Sequence, residues 1–207
     1  MIAILDYGFG NVRSAQRAFA RHGIDAQITS NREECIAADG LVIPGVGAFA
    51  ACMDGLDRVG AAAIVDARLL ANRPVLGICV GMQVLFTEGV EHDIPRIGLG
   101  QWPGRVAQLP AEILPHMGWS EIDSAPGSVL FQGVEDERFY FVHSYAAQKW
   151  ELHPSESLAP ALVSWSEYGG AFIAAVENGP LSATQFHPEK SGDAGATLIE
   201  NWIKQCL

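Results

Sequence analysis

The feature that most constrains the fold is the alternation of short apolar segments with helical ones over the first eighty residues. Residues 2–5, 41–43 and 75–78 are apolar runs of strand length, and the alanine-rich residues 61–72 form a predicted helix between the last two. Asn11 is a suitable N-cap for an earlier helix. Strands that alternate with helices predict a mostly parallel central sheet flanked by helices on both faces.

The second half of the chain has a different pattern. From about residue 98 to residue 185, strand-like runs are separated by turn residues, with little helical periodicity. The predicted strands are residues 105–109, 138–147, 161–165, 171–176 and 181–185. A final helix is expected after Ser191, which can cap it. No linker divides the chain, so we predict one α/β domain over residues 1–207, with an added antiparallel strand region.

The charge balance excludes several classes of partner. The formal net charge is −11, from 13 Lys+Arg against 24 Asp+Glu, and the basic residues are scattered. A nucleic-acid binder needs clustered basic residues that replace phosphate counterions. We therefore expect no nucleic-acid partner and no membrane partner.

The cysteines and the amino terminus indicate the compartment. The first apolar run is too short for a membrane span and lacks the basic region of a signal peptide. Cys35, Cys52, Cys79 and Cys206 lie far apart in the sequence, and none forms a metal-type pair. We expect a reduced, cytoplasmic protein without a metal site, in which one thiol can be chemically active.

Cys79 lies in the most informative segment, Gly77-Ile78-Cys79-Val80-Gly81. This is a G-x-C-x-G form of the nucleophile elbow, placed between a predicted strand and a predicted helical run over residues 82–86. The N–H of Val80, the residue after the nucleophile, would point at a developing oxyanion. Most free cysteines are small buried hydrophobes. The surrounding elbow favours a catalytic thiol instead.

The triplet His187-Pro188-Glu189 supplies partners for such a thiol. If this segment ends a strand, His187 and Glu189 lie on one face, where the carboxylate can orient the imidazole. Taken alone, the triplet is more often an exposed turn. Its meaning depends on the elbow elsewhere in the chain.

Two glycine-containing loops have different interpretations. Pro44-Gly45-Val46-Gly47 follows a predicted strand, and its N–H groups can face a substrate anion, although a plain turn is equally consistent. Gly8-Phe9-Gly10 begins like a dinucleotide fingerprint, but Arg13 occupies the third glycine position. No cofactor is therefore expected.

Together these segments resemble the class I (triad) glutamine amidotransferases, and within them the glutaminase subunits of imidazole glycerol phosphate synthase. The resemblance covers nearly the whole chain. Its further motifs are Asp6-Tyr7-Gly8, Met82-Gln83, Pro115-His116-Met117-Gly118-Trp119, Phe141-Val142-His143-Ser144-Tyr145 and Glu189-Lys190-Ser191.

The resemblance implies a flavodoxin-like domain that hydrolyses glutamine. Cys79 would attack the carboxamide, His187 would move protons and Glu189 would orient His187. The oxyanion hole would consist of backbone groups from Val80, Gly45, Val46 and Gly47. The residues implied to hold glutamine are Gln83, Glu91, Ser144 and Tyr145.

The resemblance also implies a heterodimer. Ammonia would pass to a separate (βα)₈-barrel cyclase subunit that serves histidine biosynthesis, and Trp119 would lie near that partner. No cofactor is implied.

Three other interpretations remain open at the level of sequence. The chain could be the glutaminase subunit of another amidotransferase, for pyridoxal phosphate or anthranilate synthesis. It could be a catalytically silent regulatory subunit with the same fold, although the intact triad argues against this. A cysteine α/β-hydrolase fits less well, because that fold places its acid before the histidine.

Overall fold

The computed structural model describes residues 1–153 and 160–207. The strands are β1 (Ile2–Leu5), β2 (Gln27–Thr29), β3 (Gly40–Gly45), β4 (Val75–Cys79), β5 (Phe86–Glu91), β6 (Ile94–Ile97), β7 (Trp102–Gln108), β8 (His116–Glu121), β9 (Arg138–His143), β10 (Tyr145–Ala147), β11 (Leu162–Glu167), β12 (Ala171–Asn178) and β13 (Leu181–Thr184). The α-helices are α1 (Val12–Ala20), α2 (Arg32–Ala37), α3 (Phe49–Arg58), α4 (Ala61–Leu70), α5 (Val80–Gln83) and α6 (Gly192–Cys206).

The main sheet has seven strands in the order β11-β12-β13-β4-β3-β1-β2. Its five parallel strands, read from β2 to β13, have the 2-1-3-4-5 order of flavodoxin-like folds. Every residue of β1, β3, β4 and β13 is buried. Successive strand side chains point to opposite faces, so both faces of this sheet are covered. The predicted parallel sheet flanked by helices is confirmed.

The remaining strands form two smaller sheets. One has the order β10-β7-β5-β6, in which β5 runs parallel to β7 and the outer pairs are antiparallel. The other is the antiparallel pair β8–β9. The antiparallel strands β11 and β12 instead extend the main sheet. The sequence correctly predicted a strand-rich second half, but it missed β5, β6 and β8.

The helix predicted over residues 82–86 is wrong beyond its first two residues. The α5 helix ends at Gln83, and Phe86 begins β5. Phe86 packs edge-on against Trp102, with ring centroids 5.5 Å apart, and β5 pairs with β7. Tertiary packing of the aromatic side chain therefore overrides the local helical pattern.

Ser191 precedes α6 as predicted, but its side chain does not cap the helix. The Ser191 hydroxyl donates to the carbonyl of His187 at 2.7 Å and accepts from the N–H of Tyr140 at 2.9 Å. The hydroxyl gives the Tyr140 N–H an acceptor in a partly buried region, where an unpaired polar group is costly. The His187 carbonyl also accepts from the N–H of Lys190. Ser191 thus ties the start of α6 to the segment that carries His187.

Within the described ranges, no helix combines the length and the apolar character that a bilayer crossing requires.

Candidate active site

Cys79 ends β4 in a strained backbone conformation, with φ 56° and ψ −113°. A non-glycine residue rarely adopts positive φ, so the surrounding chain must hold it there. Gly81 permits this geometry, because a Cβ at that position would lie 1.8 Å from the carbonyl oxygen of Ile43. A Cβ at Gly77 would lie 2.6 Å from the carbonyl oxygen of Gly81. The elbow therefore depends on both glycines that the sequence motif provides.

Val80 is the first residue of α5, so its N–H has no acceptor within the helix. It lines the same cavity as Cys79. Because α5 is a single turn of four residues, its dipole is small. Local backbone N–H groups, rather than a long helix, are the electropositive element beside the thiol.

His187 approaches Cys79 because β13 and β4 are adjacent parallel strands, paired through Ala183 with Gly77 and Thr184 with Ile78. Their carboxyl ends meet at one edge of the sheet. His187 lies just beyond β13, so the two chemical groups meet despite a separation of more than one hundred residues.

Glu189 lies in a 3₁₀ turn, Pro188–Lys190, and not on a strand as the sequence predicted. The turn still brings its Oε1 atom within 2.8 Å of the His187 Nδ1 atom. Both side chains are buried, with 2% of His187 and 5% of Glu189 exposed. The predicted pairing is present, although its local geometry differs.

A cavity of about 230 Å³ brings most of the predicted residues together. Its lining consists of Val46, Gly47, Cys79, Val80, Gln83, Glu91, Val142, His143, Ser144, Tyr145, His187 and Lys190. Such a volume suits a small ligand of amino-acid size. A wider cleft of about 600 Å³ lies beside Arg105 and Lys149, but no cysteine or histidine lines it. The smaller cavity is therefore the candidate active site.

The segment from Pro44 to Gly47, which ends β3 and continues beyond it, is held from both sides. Tyr7 donates its hydroxyl proton to the carbonyl of Pro44 at 2.7 Å, and the thiol of Cys52 donates to the carbonyl of Val46 at 3.5 Å. Val46 and Gly47 line the cavity, and Gly47 has φ 100°, which favours glycine.

Gly45 has a different position from its two neighbours. It does not line the cavity but packs beneath the elbow, where a Cβ would lie 2.4 Å from the N atom of Gly81. Its small size is explained by this close approach of two backbones. The oxyanion role predicted for Gly45, Val46, Gly47 and Val80 remains a prediction.

Gln83 is almost fully buried, and both hydrogens of its amide are already used. Its Nε2 atom donates to the carbonyl of Tyr145 at 2.8 Å and to the Oε1 atom of Gln185 at 3.0 Å. Gln185 in turn directs its Nε2 atom to the Sγ atom of Cys79 at 3.7 Å. The Oε1 atom of Gln83 is therefore the part of that side chain left to contact a ligand.

The environment of His187 favours its protonated form. Burial alone would lower the pKa of this imidazole, but its interactions with Cys79 and with Glu189 outweigh burial and raise the pKa to about 9. An acid of this kind can deliver a proton to a departing amine.

This shift predicts a pH dependence of stability. The pKa of an unfolded histidine is about 6.5. Below about pH 6.5 both the native and the unfolded state carry the proton, and the stabilisation of the native state is complete. Above about pH 6.5 the unfolded chain loses the proton while the native state keeps it, so the stabilisation declines. It should be lost as the pH rises through about 9, by at most about 1.4 kcal/mol for each pH unit. Urea unfolding between pH 6 and pH 9.5 measures this decline in the free energy of unfolding.

The matched control for the pH experiment is His187→Gln. Burial raises the pKa of the three other thiols, Cys35, Cys52 and Cys206, so they also destabilise the native state at alkaline pH. That contribution is common to both proteins and cancels in the comparison. Equal declines in wild type and variant would show that His187 does not hold an extra proton.

Sequence reasoning assigned no role to three residues near the thiol: His143, Gln185 and Lys190. His143 and Lys190 line the cavity, and Gln185 contacts the sulfur. A signal existed for His143, because it lies in phase with the buried side chains of Phe139 and Phe141 along β9. No comparable periodic signal identifies Gln185 or Lys190.

Trp119 lies outside the cavity, on β8, with 52% of its surface exposed. Its ring packs edge-on against Tyr140, and a Cβ added at Gly192 would lie 3.9 Å from it. Met117, on the same strand, is 61% exposed. These two apolar side chains form an exposed patch close to the turn that carries Glu189.

Comparison with known proteins identifies the family. The model of the family described as "Glutamine amidotransferase class-I" matches residues 3–206. The chain belongs to this family.

Among the residues that the structure describes, no cluster of three or more histidine, cysteine or acidic side chains has a metal-binding arrangement.

Curated members of the family are similar over nearly their whole length. The protein from Mycolicibacterium paratuberculosis named "Imidazole glycerol phosphate synthase subunit HisH" is 57% identical over 99% of this chain and 97% of its own. The protein of the same name from Nocardia farcinica is 58% identical over 98% of this chain and 96% of its own.

Solved structures with this fold are more distant in sequence. A crystal structure of a glutamine amidotransferase has a TM-score of 0.75 at 18% identity, covering 99% of this chain and 98% of that one. The structure of PurLQS from Thermotoga maritima has a TM-score of 0.67 at 18% identity, covering 98% of this chain and 97% of that one. At these identities the likeness establishes the fold alone.

Proposed function

We propose that this chain is the glutaminase subunit of an imidazole glycerol phosphate synthase, and that it hydrolyses glutamine at Cys79 to glutamate and ammonia. The observation that carries the proposal is the single cavity shared by Cys79, His187 and the predicted glutamine contacts. The names of relatives more than half identical over nearly the full chain favour this subfamily over the pyridoxal phosphate and anthranilate enzymes. The buried His187–Glu189 pair argues against a silent subunit.

The reaction proceeds in two steps. Cys79 gives its proton to His187, and the thiolate sulfur forms a bond to the carboxamide carbon. The N–H of Val80, with N–H groups of Val46 or Gly47, stabilises the oxyanion. His187 gives a proton to the departing nitrogen, so ammonia leaves as the carbon–nitrogen bond breaks. Water then attacks the glutamyl thioester, His187 accepts its proton, and glutamate and the free thiol are released.

Binding of glutamine uses the opposite wall of the cavity. Glu91 and the Oε1 atom of Gln83 can accept hydrogen bonds from the substrate ammonium group. Ser144 and Tyr145, at the junction between β9 and β10, can contact the substrate carboxylate through backbone or hydroxyl groups. These acceptors and donors match the two charged ends of a free amino acid.

The proposed partner is a (βα)₈-barrel cyclase that consumes the ammonia. The chain acts as one domain over residues 1–207, and its proposed compartment is the cytoplasm. Four free thiols support a reducing compartment. The exposed patch of Met117 and Trp119 supports docking beside the catalytic turn, because aromatic and methionine side chains are enriched in protein interfaces.

The isolated chain is expected to be a poor glutaminase, and a ligand-bound cyclase partner is expected to raise its rate at least tenfold. Gly47 lies beyond β3 with φ 100°, so a rotation of the Val46–Gly47 peptide can move its N–H into or out of the oxyanion position. One oxyanion donor contributes roughly 10²–10³ in kcat. Glutamate release is measured for the chain alone, with the cyclase, and with the cyclase and its nucleotide substrate.

The control for this assay is the same series with Cys79→Ser, which reports any contaminating glutaminase. A chain that is fully active alone would contradict the activation and indicate an oxyanion hole already formed at rest. A chain without glutaminase activity under all three conditions would contradict the proposed function.

A further inference from the structure

Two buried histidines outside the proposed triad face each other across the β8–β9 pair. His116 and His143 are directly paired in register, and only 3% and 6% of their surfaces are exposed. The Nδ1 atom of His116 lies 3.1 Å from the Nε2 atom of His143. The reaction described above does not use either ring.

The hydrogen bonds of this pair fix the position of every proton. The Nδ1 atom of His143 lies 3.0 Å from the carbonyl of Tyr145, and a carbonyl can only accept, so that nitrogen carries the hydrogen. Burial lowers the pKa of His143 to about 3 and that of His116 to about 4, so both rings are neutral at pH 7. The Nε2 atom of His143 therefore accepts from the Nδ1–H of His116, whose Nε2 atom accepts from the Ser120 hydroxyl at 2.8 Å.

The same hydrogen bonds continue into the candidate active site. The carbonyl of Tyr145 accepts from His143 and also from the Nε2 atom of Gln83. Gln83 continues the chain to Gln185, which contacts the Cys79 sulfur. A connected series of hydrogen bonds thus links β8 to the proposed nucleophile, and donors from its two sides meet at the Tyr145 carbonyl.

The geometry points to His116 and His143 as positioning residues for glutamine. The hydrogen-bonded pair holds the Tyr145 carbonyl in place. That carbonyl in turn holds the Gln83 amide in the orientation that substrate binding needs. This inference rests on the proposed function. Ser144, the residue between β9 and β10, is the point at which the chain leaves one sheet and enters another. The bond from His143 spans that junction and holds its two sides together.

A purely structural role would depend on ring volume alone. His116 stacks on Tyr168 with ring centroids 4.2 Å apart and on Phe141 at 4.9 Å, so the pair also fills the core. Substitutions at His143 can separate the two roles. Phenylalanine keeps the ring volume without hydrogen bonds, whereas asparagine is smaller but places an N–H near the former Nδ1 atom. Glutamine places its amide near the former Nε2 atom instead.

The test compares His143→Asn, His143→Gln and His143→Phe in complex with the cyclase. We expect the KM for glutamine to remain within about threefold of wild type in His143→Asn. In His143→Gln and His143→Phe it should rise about tenfold, because the loss of one hydrogen bond costs about 1–1.5 kcal/mol. Co-elution of each variant with the cyclase on size-exclusion chromatography, together with its thermal unfolding curve, reports whether the variant folds and assembles. KM values that follow side-chain volume, with asparagine worst, would overturn the inference.

A second measurement needs no variant to fold. Nitrogen-15 NMR of the wild-type imidazoles is expected to show a protonated Nδ1 and a bare Nε2 in both rings, unchanged from pH 8 to about pH 5. The opposite tautomer, or an ordinary titration near pH 6.5, would overturn the inference. Absence of glutamate release by the wild-type complex would instead count against the proposed function, and the NMR result would still decide the tautomers.

Discussion

In the assembled enzyme, Cys79→Ser is expected to lose glutamine-dependent turnover while turnover with an ammonium salt persists. Under the proposed function, the thiol serves ammonia release only, and the cyclase reaction belongs to the partner. A serine hydroxyl in the same elbow is a far weaker nucleophile than a thiolate, because its proton is much harder to remove. Loss of an essential nucleophile lowers kcat by about 10⁴ or more.

The measurement is synthase turnover with each nitrogen source in turn. Cys206→Ser is the matched control, because Cys206 lies in α6 and donates to the carbonyl of Trp202 at 3.5 Å, away from the cavity. We expect this control to retain both activities. If glutamine remained effective in Cys79→Ser, another group would have to be the nucleophile.

His187→Ala is expected to lower glutaminase kcat by about 10²–10⁴, the usual contribution of a positioned acid–base group. Glu189→Ala should retain roughly 10–100 times more activity than His187→Ala, because a carboxylate that orients a ring contributes less than the ring itself. The hydrogen bond of 2.8 Å between the two side chains and their burial support this division of roles. Steady-state glutamate release measures both variants.

Glu189→Gln refines the test, since it keeps an acceptor for the His187 Nδ1–H but removes the negative charge. If orientation is the main role of Glu189, this variant should be more active than Glu189→Ala. If stabilisation of the charged imidazole is the main role, the two variants should be similar. A clearly more active His187→Ala than Glu189→Ala would reverse the proposed roles.

Local patterns in the sequence predicted much of the main sheet. The apolar runs at β1, β3 and β4 were identified because strand length and burial on both faces leave a continuous hydrophobic signature. Three strands, β5, β6 and β8, were missed. The pairing of β5 with β7 and of β8 with β9 depends on distant residues, so no local periodicity identifies these strands.

The candidate site divides in the same way. By itself the sequence determined which residues have the required chemistry, Cys79 in a G-x-C-x-G elbow and His187 two residues before Glu189, because those motifs are short and local. Only the tertiary structure decided that Gln83 meets Gln185, that His116 meets His143, and that Gly45 lies beneath the elbow. The order of strands in the sheet brings these residues together, and strand order is set by contacts between distant segments that no sequence window contains.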